Sequence, residues 1–193
     1  MQQGKLILIV GPSGSGKGTL VAFLREQYPE LVFPISCTTR VPRPGEENGS
    51  GKKYHHLSKE AFAQDIAEGK FLEWAQYGEN YYGTPKAEVM DALAAGKNIL
   101  HELEMQGAEQ LRAKVPHEQL VIIFIDAGPW EELKRRIIER GHMQDEELQK
   151  REARYIKEIT FKQEADFIID NRNGKLDEAK ARLKEIVNSV LIR

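Results

Sequence analysis

The stretch Lys5-Leu6-Ile7-Leu8-Ile9-Val10-Gly11-Pro12-Ser13-Gly14-Ser15-Gly16-Lys17-Gly18-Thr19 decides the fold. Aliphatic residues follow one another from Leu6 to Val10 with no polar alternation, the pattern of a strand buried on both faces. Gly11 stops the run, and from Thr19 onward Leu20, Phe23 and Leu24 fall at helical spacing until Pro29. Between strand and helix, residues 11–17 fit the frame G-x-x-x-x-G-K. Glycines at 11, 14 and 16 can turn successive N–H groups inward around a phosphate. The helix that follows adds its positive end, and Lys17 adds a mobile charge. Taken alone, the motif is also met as a plain glycine turn. The buried strand before it and the amphipathic helix after it favour a phosphate cradle made of Gly11, Pro12, Ser13, Gly14, Ser15, Gly16, Lys17, Gly18 and Thr19.

Outward from this unit, apolar runs at 119–125 and 165–169 predict further parallel strands. Residues 98–103 form a fourth candidate, interrupted by polar residues. Helical patterns occupy 59–68, 86–95, 130–140, 145–163 and 175–190. Strands alternating with helices predict an α/β fold with a parallel sheet flanked by helices. Residues 36–53, rich in Pro, Gly, Thr, Arg and Glu, break the alternation. No repeat or linker divides the chain. A single domain over 1–193 is expected, with a core (1–35, 96–128 and 160–193) and two excursions (36–95 and 129–159).

The 193 residues are 40% apolar and 30% charged, a balance that suits a folded domain and argues against long disorder. A net charge of −2 supplies no global basic field for nucleic acid, so any anion site is built locally. Cys37 is the single cysteine, which excludes an intrachain disulfide and a cysteine-rich metal site. The N-terminus lacks the features of a signal peptide, and no apolar run reaches the length of a membrane span. A soluble cytoplasmic protein without membrane or nucleic-acid partners is expected.

The loop Ser36-Cys37-Thr38-Thr39-Arg40-Val41-Pro42-Arg43-Pro44-Gly45-Glu46 carries two arginines in a proline-stiffened frame. Guanidinium forks match phosphate oxygens, and stiffening lowers the ordering cost of binding. A solvated loop explains the same residues equally well on their own. Tyr54, Glu73-Trp74-Ala75, Asn80-Tyr81-Tyr82-Gly83-Thr84, Met105-Gln106-Gly107 and Arg140-Gly141 follow. Taken together and in this order, these stretches resemble the guanylate kinase family over nearly the whole chain. The resemblance implies a P-loop sheet with a GMP-binding subdomain and a helical lid. It also implies phosphoryl transfer from ATP to GMP, with Mg²⁺ accompanying the ATP.

The same resemblance implies residue roles. Arg40, Arg43, Tyr54 and Tyr82 become ligands of the GMP phosphate, and Ser36, Glu73 and Thr84 readers of guanine. The chemistry agrees, because guanine presents N1–H and its 2-amino group side by side and one carboxylate accepts from both. Adenine has a bare N1 and no 2-amino group, so Glu73 would face an acceptor. Asn171 is implied at the adenine of ATP, and Arg136, Arg140 and Arg151 as lid arginines acting with Lys17 on the transferring group. Glu46 is placed with the GMP ligands, in a loop two residues longer than the family pattern. Gly18 departs from the usual Ser or Thr, leaving a form closer to adenylate kinases. Glu102-Leu103-Glu104 stands where the family commonly has Asp-x-Asp. Strand alternation is expected to turn both carboxylates to the phosphate side, Glu102 as an outer-shell magnesium contact and Glu104 as a guanine contact; a pair of solvated acids is the alternative.

The histidines at 55, 56, 101, 117 and 142 show no metal-ligand spacing and receive no role. Two other readings stand beside the kinase. One is a P-loop kinase for AMP or a sugar phosphate, which Glu73 with Thr84 disfavours. The other is a guanylate-kinase-like module that binds peptides, which the intact loop at 11–17 disfavours.

Overall fold

The computed structural model describes residues 3–42, 54–139 and 144–191. In chain order the first half holds β1 (Leu6–Val10), α1 (Lys17–Gln27), β2 (Ser36–Thr38), β3 (Tyr54–His56), α2 (Lys59–Ala67), β4 (Phe71–Tyr77), β5 (Asn80–Pro85) and α3 (Lys86–Ala94). The second half holds β6 (Ile99–Glu102), α4 (Met105–Arg112), β7 (Leu120–Asp126), α5 (Trp130–Glu139), α6 (Asp145–Thr160), β8 (Phe167–Asp170) and α7 (Leu176–Leu191).

Four strands form a parallel sheet in the order β6-β1-β7-β8. β1 lies inside it, and no residue from Leu6 to Val10 is more than 1% exposed. Strand alternation divides its side chains between two cores. Leu6, Leu8 and Val10 pack with Val89 and Leu93 of α3 and with Ala108 and Leu111 of α4. Ile7 and Ile9 pack with Leu20 and Leu24 of α1 and with Leu183, Ile186 and Val187 of α7. Helices therefore cover both faces, as an uninterrupted aliphatic strand requires. The expected α/β architecture is present. None of the described helices is long and apolar enough to cross a membrane.

Within 36–95 the described residues form a second sheet, β3-β2-β5-β4, in which β2 and β3 are parallel and the other pairs antiparallel. The helical patterns of this region were legible, but its strands were not. Their polar residues serve a cleft on one side, which hides the alternation that marks a half-buried strand. Phe62 of α2 stacks on Phe71 of β4 with ring centroids 4.4 Å apart. That pair presses on Gly83, where an added Cβ would stand 2.9 Å from Phe71 Cδ1 and 3.1 Å from Phe62 Cζ. In the β4–β5 hairpin Glu73 lies directly opposite Thr84.

Most expected elements are present with shifted ends, and two differences from the sequence reading bear on the site. α1 begins at Lys17 rather than Thr19, so the last residue of the glycine motif is already helical. α4 had no counterpart among the expected helices, because its Met105-Gln106-Gly107 start reads as a motif and not as a helical pattern.

Leu8→Ala is expected to cost about 2–5 kcal/mol, since the site is closed on every side and can relax little. Urea unfolding should show a lower midpoint with an unchanged slope.

Candidate functional site

The glycine motif forms a tight loop between β1 and α1. Gly14 and Gly16 have φ of 86° and 89°, in the left-handed region that side-chain-bearing residues avoid. Gly16 has a second reason to be glycine: a Cβ there would stand 2.5 Å from Asn171 Nδ2. Asn171 braces the loop, with Nδ2 donating to Ser15 O at 2.7 Å and its backbone N–H donating to Asp126 O at 2.7 Å. Lys17 Nζ folds over the loop and donates to Gly11 O at 2.6 Å and Pro12 O at 3.2 Å. Ser15 Oγ is buried and, among the described residues, has no hydrogen-bond partner. A loop of this kind, ending in a helix N-terminus and a lysine, can hold phosphates.

Of the expected lid arginines, Arg151 reaches this loop. Its Nη1 donates to Ser13 Oγ at 2.8 Å and its Nε donates to Glu147 at 3.1 Å. Arg136 is turned elsewhere, donating to Glu132 and to the Asn171 carbonyl, both at 3.0 Å. Arg140 lies outside the described residues, as do Arg43 and Glu46.

A cleft of about 1120 Å³ extends from the loop to the second sheet. Ordinary single-ligand pockets run from roughly 300 to 1,000 Å³, so the space suits two ligands. On its far wall Glu73 is only 4% exposed. Its Oε1 accepts from the Thr84 hydroxyl at 2.5 Å, and Thr84 Oγ1 lies 2.8 Å from His101 Nε2. Burial raises the Glu73 pKa, opposed by the hydrogen bonds from Thr84 and by the charge of Lys114. Gly107 of α4 makes room for this carboxylate, because a Cβ there would stand 2.7 Å from Glu73 Oε2. Nearer the mouth, Ser36 and Tyr54 are register partners on β2 and β3. The rings of Tyr54 and Tyr82 meet edge-on at 5.8 Å, and the Arg40 guanidinium sits 5.7 Å above the Tyr54 ring. The structure thus brings Ser36, Arg40, Tyr54, Glu73, Tyr82 and Thr84 to one wall.

The two acidic residues need a correction. β6 ends at Glu102, and Glu104 is the residue that caps the start of α4. Strand alternation therefore does not carry from one to the other. Both still line the cleft, because the chain turns there from strand to helix. Glu102 Oε2 lies 3.7 Å from where a Cβ on Gly18 would stand, so the missing side chain at 18 opens space beside this carboxylate.

Several cleft residues received no role from the sequence, among them Tyr77, His101, Arg154 and Glu158. His101 had a readable signal, a polar residue inside an apolar run. Arg154 and Glu158 were hidden in a helix whose charges look like a solvated face. Burial and Glu104 raise Glu158 to about 7, against the pull of Lys17, Arg154 and the Ser13 N–H. Burial first, then Glu104, raises Tyr77.

Gly16→Ala is expected to collide with Asn171 and strain the loop, so that ATP affinity and melting temperature both fall; calorimetry and thermal melts measure the two. A second outcome concerns Glu158. Its folded pKa of about 7 lies above the ordinary 4.5, so the folded chain binds the proton more tightly. Its contribution to stability therefore falls as pH rises from about 4.5 through 7. Thermal melts should show Glu158→Gln gaining stability over the parent between pH 5 and 8.

A family model described as guanylate kinase matches residues 3–190. A guanylate kinase of Synechococcus sp. (strain JA-3-3Ab) is 42% identical over 185 residues, covering 96% of this chain and 82% of its own length. One from Rubrobacter xylanophilus is 39% identical over 191 residues, covering 99% and 97%. The crystal structure of guanylate kinase from Anaplasma phagocytophilum superposes with a TM-score of 0.72 at 26% identity, covering 97% of this chain and 86% of that one. With its glycine loop, its buried Glu73 and this likeness over nearly its full length, the chain belongs to the guanylate kinase family.

Proposed function

We propose that the protein transfers the γ-phosphoryl group of ATP to GMP, yielding ADP and GDP, with the two nucleotides at opposite ends of the cleft. The observation that carries the assignment is the buried Glu73, bonded to Thr84, in the same cleft as Lys17 of the glycine loop. A carboxylate removed from water is costly unless it meets donors, and guanine supplies two adjacent ones. An adenine or a sugar would leave Glu73 short of partners.

The residue roles are carried over from the family pattern, and the cleft positions of the described residues support them. The loop at 11–19 holds the triphosphate, with Asn171 beneath it at the adenine end. Lys17 exchanges the Gly11 and Pro12 carbonyls for the β- and γ-phosphates. Arg40, Arg43, Tyr54 and Tyr82 hold the GMP phosphate, while Ser36, Glu73 and Thr84 read the base, with Glu46 and Glu104 as further GMP contacts. An oxygen of the GMP phosphate bonds to the γ-phosphorus as the bond to the bridging oxygen of ADP breaks. Such a reaction asks the protein for alignment and charge neutralisation more than for a general base. Arg151 already touches the loop, and Arg136 and Arg140 join it when residues 129–159 close as a lid. Closure excludes water that would otherwise take the phosphoryl group.

Among the described residues no group of three or more His, Cys, Asp or Glu side chains converges on a metal-sized site. The single carboxylate of Glu102, beside Gly18 of the loop, suits a magnesium ion that would arrive on the phosphates of ATP and keep most of its waters, with Glu102 as an outer contact. When bound, the ion neutralises charge on the donor phosphates. The core (1–35, 96–128, 160–193), the GMP-binding region (36–95) and the lid (129–159) form one catalytic domain. The lone cysteine, buried at position 37, is consistent with a reducing cytoplasm, and small-molecule substrates account for the cleft without a nucleic-acid or membrane partner.

ADP formation from ATP should be strong with GMP and weak with AMP, CMP and UMP, and should require magnesium. Glu73→Gln should weaken GMP binding by roughly a hundredfold or more while sparing ATP. Unchanged GMP affinity in calorimetry would refute the base pocket.

A further inference from the structure

Among the described residues, His101 is the one histidine in this cleft's wall. It sits on β6 opposite Leu8 of the central strand, only 6% exposed, with Nε2 2.8 Å from Thr84 Oγ1. Thr84 in turn lies 2.5 Å from Glu73 Oε1. Three polar groups in a row share few protons, and the order in which they share them has chemical consequences.

A hydroxyl has one hydrogen and two lone pairs. Two oxygens 2.5 Å apart need a hydrogen between them. If Glu73 is ionised, Thr84 must provide it. Only a lone pair of Thr84 then faces His101, and Nε2 must carry a hydrogen. In the reverse order Thr84 donates to a bare Nε2, and the hydrogen near Glu73 belongs to a protonated carboxyl. A protonated carboxyl cannot accept two neighbouring N–H groups with both oxygens. The tautomer of His101 and the accepting power of Glu73 are therefore linked.

We infer that His101 is a positioning residue of the base pocket: by donating from Nε2 to Thr84 it commits the Thr84 hydroxyl to Glu73 and keeps that carboxylate an acceptor. The surroundings agree. Burial lowers His101 to about 4, so the ring is neutral and carries one hydrogen to place. Burial raises Glu73, and the hydrogen bonds from Thr84 with the charge of Lys114 act against that rise, so the Thr84 hydroxyl is a main support of the ionised form. This deepens the proposed function and rests on its assignment of the pocket to guanine.

A double-mutant cycle on the full chain tests it, with GMP affinity read by calorimetry. His101→Leu should weaken GMP about five- to tenfold, the scale of one neutral hydrogen bond, and leave ATP unchanged. His101→Gln, which can still present an N–H, should recover most of the loss. In a Thr84→Val background His101→Leu should cost nothing further, because its route to Glu73 is already cut. Full affinity in His101→Leu, or losses that multiply in the double variant, would overturn the inference. Nitrogen-15 NMR of the unsubstituted protein gives a separate reading. A proton on Nε2 and none on Nδ1 is expected between about pH 6 and 8, where an ordinary histidine titrates; the opposite tautomer or an imidazolium would overturn it. The Glu73→Gln variant separates the two levels. Retained GMP affinity there sinks the pocket assignment and leaves the NMR to judge the proton order, whereas lost affinity with an indifferent His101→Leu sinks this inference alone.

Discussion

Everything in this molecule depends on one strand that water cannot reach. Because Leu6 to Val10 are enclosed on both faces, β1 cannot shift without opening two cores at once. The loop that follows inherits that rigidity. Its amides point where the strand and α1 send them, and Asn171 braces it from β8's end. A phosphate cradle works by being organised before the phosphate arrives, and here the hydrophobic effect supplies that organisation.

The opposite wall of the cleft is built on a different principle. The second sheet spends burial on a charge instead of on aliphatic packing. Glu73 is covered by Gly107 of α4, paired with Thr84 across the hairpin, and approached by Lys114. The bonds from Thr84 and the charge of Lys114 lower the cost of an ionised carboxylate, burial raises it, and the group is left seeking donors. Selectivity of this sort comes from what an unsuitable ligand would leave unpaired. Helix α6 brings a third element, with Arg151 on the loop and Glu158 close enough to Lys17 to feel its charge.

Much of this was legible beforehand because some residue types admit few readings. An unbroken aliphatic run, glycines before a lysine, and a carboxylate beside two aromatic-rich stretches each narrow the chemistry. Other parts were hidden for identifiable reasons. The strands of the second sheet mix cleft-facing and core-facing residues, which blurs their period. α4 opens with a motif that includes a glycine, a poor helix former, and that glycine is needed for the space beside Glu73. Glu104 was assigned to a strand face by alternation, yet the strand ends two residues earlier.

The sequence by itself determined the α/β alternation and the phosphate loop, because those follow from local periodicity and from the chemistry of individual side chains; the candidates for a second nucleotide site came from the resemblance to a family. Only the tertiary structure decided which of those residues share a wall. It paired Glu73 with Thr84 and added His101 behind them, sent Arg151 to the loop and Arg136 to a backbone carbonyl, and placed Glu158 near Lys17. Those relations join residues far apart in the chain, so they exist only once the cores have closed and fixed the distances between them.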